Sequence, residues 1–128
     1  MLTAYRAGWA AFAAAAKAAD PAAPGLTATM VDPLLHSVIA QLVREKYEGS
    51  VVKGDVTLNP RVASIAGGTA TVMDCTFDAS EFVYKANGTP VPPDTTPHPS
   101  GVRSTLVEVN GVWKVKDQTN DPGACSAT

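Results

Sequence analysis

The feature that most constrains this chain is the stretch Gly67-Gly68-Thr69-Ala70-Thr71-Val72-Met73-Asp74-Cys75, a turn that opens into β-branched residues and ends on one of only two cysteines. Thr and Val suit a pleated, half-buried surface, so the segment reads as the central strand of an antiparallel sheet. The residues before it have helical periodicity, and those after it read as strand and loop. The chain is therefore α+β, helices first and sheet after. Its 128 residues, 45% of them hydrophobic, suffice for one domain, residues 1–128, with its own core.

Leu2, Tyr5, Trp9, Phe12 and Ala16 recur at spacings of three and four, which places them on one face of a helix from about Leu2 to Ala19. The intervening alanines favour helix by propensity alone. Asp20-Pro21 and Pro24-Gly25 end it, because proline disfavours helix in the residue before it. Gly25 to Val31 has room for one short helical turn. Asp32-Pro33 is a start signal, with Asp as N-cap and Pro at the first helical position. Leu35, Val38, Ile39, Leu42 and Val43 form the apolar stripe of the second main helix, and Gly49 caps its end.

From Val51 the period shifts to two. Val51 to Leu58 and Arg61 to Ala66 read as one long strand broken at Asn59-Pro60, since proline cannot donate to a ladder. Thr69 to Phe77 is the next strand and Glu81 to Lys85 a shorter one. The run from Asn87 through Pro90, Pro92, Pro93, Pro97 and Pro99 reads as loop. Gly101 to Val109 and Val112 to Asp117 flank Asn110-Gly111, a strong hairpin signal because both residues tolerate positive φ. Trp113 and Val115 alternate with Lys114 and Lys116, so one face is expected to be buried and Trp113, like Trp9, to be core. Asp121-Pro122-Gly123 turns the tail toward Cys125. Cys75 and Cys125 are the sole cysteines and are expected to form a disulfide, enclosing a loop of about 50 residues.

The charge pattern excludes several function classes. A formal net charge of −2 with basic residues scattered along the chain gives no electrostatic reason to expect nucleic acid. Trp9 to Ala16 is the longest apolar stretch, far short of the roughly 20 residues of a membrane span. His36 and His98 lie far apart, and no CxxC or HExxH spacing occurs, so no metal site is indicated. Gly67-Gly68 leads into a strand rather than a helix N-terminus, so no phosphate loop and no cofactor are indicated. The start of the chain lacks the pattern of a signal peptide. The cysteine pair nevertheless points to an extracytoplasmic, secreted or cell-envelope setting.

Taken together, the aromatic N-terminal helix (Tyr5, Trp9), the Asp20-Pro21 stop, the long second helix ending near Gly49, Gly54, Val62, Ala70 to Cys75, the Asn110-Gly111-Val112-Trp113-Lys114-Val115 hairpin and the late cysteine resemble small actinobacterial domains of the nuclear transport factor 2-like superfamily. The resemblance covers nearly the whole chain. It implies a cone, with N-terminal helices packed into the concave face of a curved antiparallel sheet, around a cavity. Some relatives use that cavity for isomerase, dehydratase or hydrolase chemistry and others use it for binding partners. Members of this kind are often secreted proteins or lipoproteins with no assigned reaction. In the enzymes a hairpin between the second and third helices commonly contributes a carboxylate base. Here Met30-Val31-Asp32-Pro33-Leu34 leaves no room for one.

Two readings of function are open. In the first, the protein is a non-catalytic binding or accessory domain, whose cone takes a small apolar ligand or a protein partner through Trp9, Phe12, Tyr47, Asp74 and Tyr84, with a homodimer through the sheet as one arrangement. In the second, it is a small cavity enzyme of isomerase or dehydratase type, with Asp74 as proton acceptor and Tyr47 or Tyr84 as hydrogen-bond donor. Asp74 separates them. It shares a face with Ala70 and Val72, and alternation alone does not say whether that face lines the cone. An Asp ending a strand before a turn commonly caps local amides, so a structural role accepting from the Thr76 to Ser80 turn is the favoured expectation.

Overall fold

A computed structural model describes residues 1–92 and 96–126. Pro93, within the expected proline-rich loop, lies outside the described residues. The chain runs α1 (Leu2–Ala18), α2 (Gly25–Thr29), α3 (Leu34–Glu48), β1 (Ser50–Lys53), β2 (Val56–Thr57), β3 (Pro60–Ala66), β4 (Thr69–Asp78), β5 (Glu81–Tyr84), β6 (His98–Val109), β7 (Val112–Asn120) and α4 (Gly123–Ser126). The fold is α+β: the N-terminal helices pack on one face of a curved antiparallel sheet.

The local signals explain the helix ends. Ala19 adopts a left-handed conformation with φ 48° after α1, and the Asp20 backbone N–H returns to the Ala15 carbonyl at 2.9 Å. The Asp20 carboxylate then accepts from the Ala22 N–H, holding the turn that Pro21 begins. At α3 the Asp32 carboxylate accepts from the His36 N–H at 3.0 Å, which satisfies one of the free donors of the first turn. Pro33 sits just ahead of the helix rather than in its first turn, a shift of one residue from the expected start. Gly49, with φ 74°, closes α3 in the left-handed conformation that glycine takes without strain.

β4 is the central strand. It pairs along its length with β6, from Thr69 opposite Val107 to Asp78 opposite His98, and its other edge is shared by β3 and β2. The expected long first strand is thus three pieces. β1 leaves this sheet and pairs with β5 in a ribbon of two, and the break at Asn59-Pro60 divides β2 from β3. β6 begins at His98, so the end of the expected loop is strand. Register shifts between Val62 and Ser64 in β3 and between Thr105 and Leu106 in β6 mark bulges, which bend and twist a sheet toward a concave face.

Alternation on β4 places Ala70, Val72, Asp74 and Thr76 on the buried face. Two apolar clusters form the core, the first of them against this face. One joins Tyr5 of α1 to Val72, Leu106 and Val115; the other joins Ala15, Ala16, Leu26, Met30, Val38 and Leu42 among the helices. A wholly buried leucine such as Leu42 or Leu106 stabilises the fold by roughly 1.5–3 kcal/mol through apolar burial alone. The α3 stripe differs from the expected one: Val43 is exposed, and Glu45 turns inward beside Val38 and Leu42. Trp9 and Trp113 are half-buried flanks of the first cluster rather than fully enclosed core.

The opposite face of β4 carries Cys75, which bonds Cys125 across a Cα separation of 4.6 Å. The tail therefore folds over the outside of the sheet as α4, where Ala124 is buried and its carbonyl accepts from the Arg61 guanidinium at 3.2 Å. The Asp121 N–H donates to the Gly101 carbonyl at 2.9 Å, and the Asp121 carbonyl occupies the space that a Cβ at position 101 would need. Only glycine permits so close a crossing of tail and strand.

Candidate functional site

The expected site residues fall in different places. Asp74 is fully buried beneath α1, where its Oδ2 accepts from the Tyr5 hydroxyl and its Oδ1 from the Asn59 backbone N–H, both at 2.7 Å. Both oxygens are thus engaged by groups that hold α1 and the β2–β3 break against β4. Tyr47 is 92% exposed and Tyr84 is 39% exposed; neither donates to Asp74. The amide-capping role expected of Asp74 belongs instead to Asp78, whose Oδ1 accepts from the N–H and hydroxyl of Ser80. His36 is exposed on α3, with its backbone serving the helix start. Among the described residues, no three His, Cys, Asp or Glu side chains come together to hold a metal ion.

Tyr5 is the partner that sequence reasoning did not name. The available signal was its place on the buried stripe of the first helix, because a tyrosine tip in a core needs a hydrogen-bond partner. Burial pushes its pKa up, and the hydrogen bond and the charge of Asp74 push it further. The Trp9 indole and the Ser104 hydroxyl act weakly in the opposite sense, yet neither makes a well-formed hydrogen bond. The same holds for one oxygen of Glu45, whose pKa burial raises against the opposing pull of Gln41 and Arg44.

Trp9 and Phe12 do face open space. A hollow of about 380 Å³ lies between α1 and α3 over the middle of the sheet. Its apolar wall includes Trp9, Phe12, Met30, Leu34, Val38, Val102 and Val115, and its polar positions are mainly neutral: Ser37, Gln41, Thr76, Ser100, Gln118 and Asn120. Among the described residues that line it, Asp78 is the one ionisable group. A second hollow, about 470 Å³, runs between α1 and the β1–β2 region. The two share Trp9, Phe12, Gln41 and Asp78, so the aromatic pair forms a common wall. Its rings meet edge to face, with centroids 6.4 Å apart and planes at 87°, a favourable arrangement for two quadrupoles. Asp74 lines neither space. Chemically, the pair of hollows can take up apolar groups and orient them with hydroxyls and amides.

No helix among the described residues is long and apolar enough to cross a membrane. The disulfide fits an oxidising compartment, where such bonds persist.

Comparison with known proteins gives the fold alone. The intermembrane space region of the chloroplast protein ARC6 superimposes with a TM-score of 0.68 at 14% identity, covering 92% of this chain and 91% of that one. An uncharacterized protein with a cystatin-like fold from Caulobacter vibrioides superimposes with a TM-score of 0.55 at 16% identity, covering 98% and 93%. No family model matches the sequence, and no curated protein matches it.

Proposed function

We propose that the protein is a non-catalytic binding domain that holds an apolar group in the hollow between α1 and α3. The observation that carries this reading is the division between the two kinds of residue. The buried acid best placed on the central strand, Asp74, spends both oxygens on Tyr5 and Asn59 and stands outside the hollows. The hollow itself offers aromatic and aliphatic walls with neutral hydroxyls and amides. A proton-transfer site needs a base within hydrogen-bond reach of its substrate. The one carboxylate among the described residues lining this hollow, Asp78, commits its Oδ1 to its own turn through the N–H and hydroxyl of Ser80.

In this reading the domain is a cone of the nuclear transport factor 2-like kind, lacking the hairpin base of the catalytic members. It serves as a binding or accessory module of an exported or cell-envelope protein, and the Cys75–Cys125 bond supports that setting. The test uses N-phenyl-1-naphthylamine, an uncharged apolar probe, on the folded protein. Saturable binding at one site is expected. Ser37→Phe, which fills the hollow from an exposed position on α3, should weaken it while leaving the thermal midpoint unchanged. Binding that is absent, or that survives Ser37→Phe unaltered, refutes the assignment.

A further inference from the structure

The second hollow has a direction. Its α1 side is formed by residues from Arg6 to Lys17, eleven positions on, which spans about 16 Å at the helical rise. Between those ends the helix presents Ala10, Ala13 and Ala16, with Trp9 and Phe12 beside them, and the facing wall includes Val52, Val56, Leu58 and Phe82. The space therefore runs along the helix as a channel between mainly apolar walls.

Its charges are asymmetric. At one end Lys17 Nζ is paired with Asp55 at 2.8 Å, so that end is close to neutral. Asp78, on the wall shared with the first hollow, accepts from Ser80. At the other end Arg6 is exposed and makes no hydrogen bond or ion pair among the described residues. Leu58 lies near this end, since it packs on the cluster that contains Tyr5. A channel with apolar sides and one uncommitted guanidinium at its mouth complements a molecule built the same way.

Resting on the reading of the hollows as a binding site, we propose that this channel takes a linear amphiphile with an anionic head, an acyl chain lying along the alanine face of α1 with its carboxylate at Arg6. A carboxylate accepts the guanidinium's parallel N–H donors, and every methylene of the chain that leaves water adds to the affinity.

Isothermal titration with laurate and with dodecanol, its neutral counterpart, tests this on the intact protein. Laurate is expected to bind more tightly than dodecanol. Arg6→Gln should weaken laurate about tenfold, equivalent to about 1.4 kcal/mol, and leave dodecanol unchanged. Arg6 is exposed, so the substitution should not perturb folding. Ala13→Phe, which narrows this channel but not the first hollow, should weaken both ligands. Equal affinities for the two ligands, or laurate binding indifferent to Arg6→Gln, would overturn the anionic head while leaving the apolar site standing. Binding untouched by Ala13→Phe would place the chain elsewhere. Binding of neither ligand would overturn the proposal, and the probe experiment with Ser37→Phe then reports separately on the first hollow.

Discussion

Removing one oxygen atom tests how the helices are held to the sheet. In Tyr5→Phe the ring stays in place among Val72, Leu106 and Val115, while the hydroxyl that donates to Asp74 at 2.7 Å is lost. Asp74 has no solvent exposure, so water does not readily replace the donor. Leaving a buried acceptor unpaired costs about 1–3 kcal/mol, and more where the acceptor is charged, so a loss of about 3 kcal/mol is expected. For a chain of this length that is a drop of roughly 10 °C in midpoint and a large share of the 5–15 kcal/mol typical of a folded domain. Urea unfolding at neutral pH measures it. Asp74→Asn and the double variant complete a cycle, which should show coupling of about 1–3 kcal/mol because the two side chains touch. The same bond has a signature in alkali. The folded-state pKa of Tyr5 lies above its unfolded value, so its stabilisation is complete below about pH 10 and falls away as pH rises beyond that. Tyr5→Phe should lose that part of the alkaline dependence. A loss below about 0.5 kcal/mol in neutral buffer, with additive behaviour in the cycle, would refute the bond as a tie between α1 and β4.

Buried chemistry elsewhere gives two further outcomes. Glu45 is 4% exposed with one oxygen unpartnered, and its pKa is raised in the fold, so protonation favours folding and stability falls as pH rises from about 4.5. Glu45→Gln should therefore raise the thermal midpoint at pH 7 and lose that advantage near pH 4; a destabilised variant at pH 7 would contradict the account. Reducing the disulfide, or replacing both Cys75 and Cys125 by Ser, should cost about 4 kcal/mol through the freed loop of 50 residues. An unchanged urea midpoint would show that the tail is held without the bond.

Much of the architecture was legible because it depends on short-range rules. The aromatic and alanine spacing of residues 2–18 sets a helix wherever the chain is placed, and Asp20-Pro21 and Gly49 punctuate by backbone sterics alone. The Asn110-Gly111 turn needs no distant partner, and both residues take the expected positive φ. The pairing of two lone cysteines is a matter of counting, and the bond is present. Alternation likewise grouped Ala70, Val72 and Asp74 on one face of the central strand.

What alternation could not supply was the object on that face. Tyr5 and Asp74 are 69 residues apart, and only the crossing of α1 over β4 brings a hydroxyl to one carboxylate oxygen and the Asn59 amide to the other. For the same reason Tyr47, on an exposed face of α3, looked as eligible for a site as Trp9. Both are aromatic residues on helices, and which one borders a hollow is set by where the sheet passes. The inward turn of Glu45 and the departure of β1 from the main sheet have one cause, since each depends on long-range packing that a local period of 3.6 or 2 does not record. Local sequence thus marks the long helices, the central strand and the terminal hairpin, because those depend on neighbours a few residues away. Tertiary structure decided which polar groups are consumed as ties and which spaces remain open, because both depend on the distances between elements.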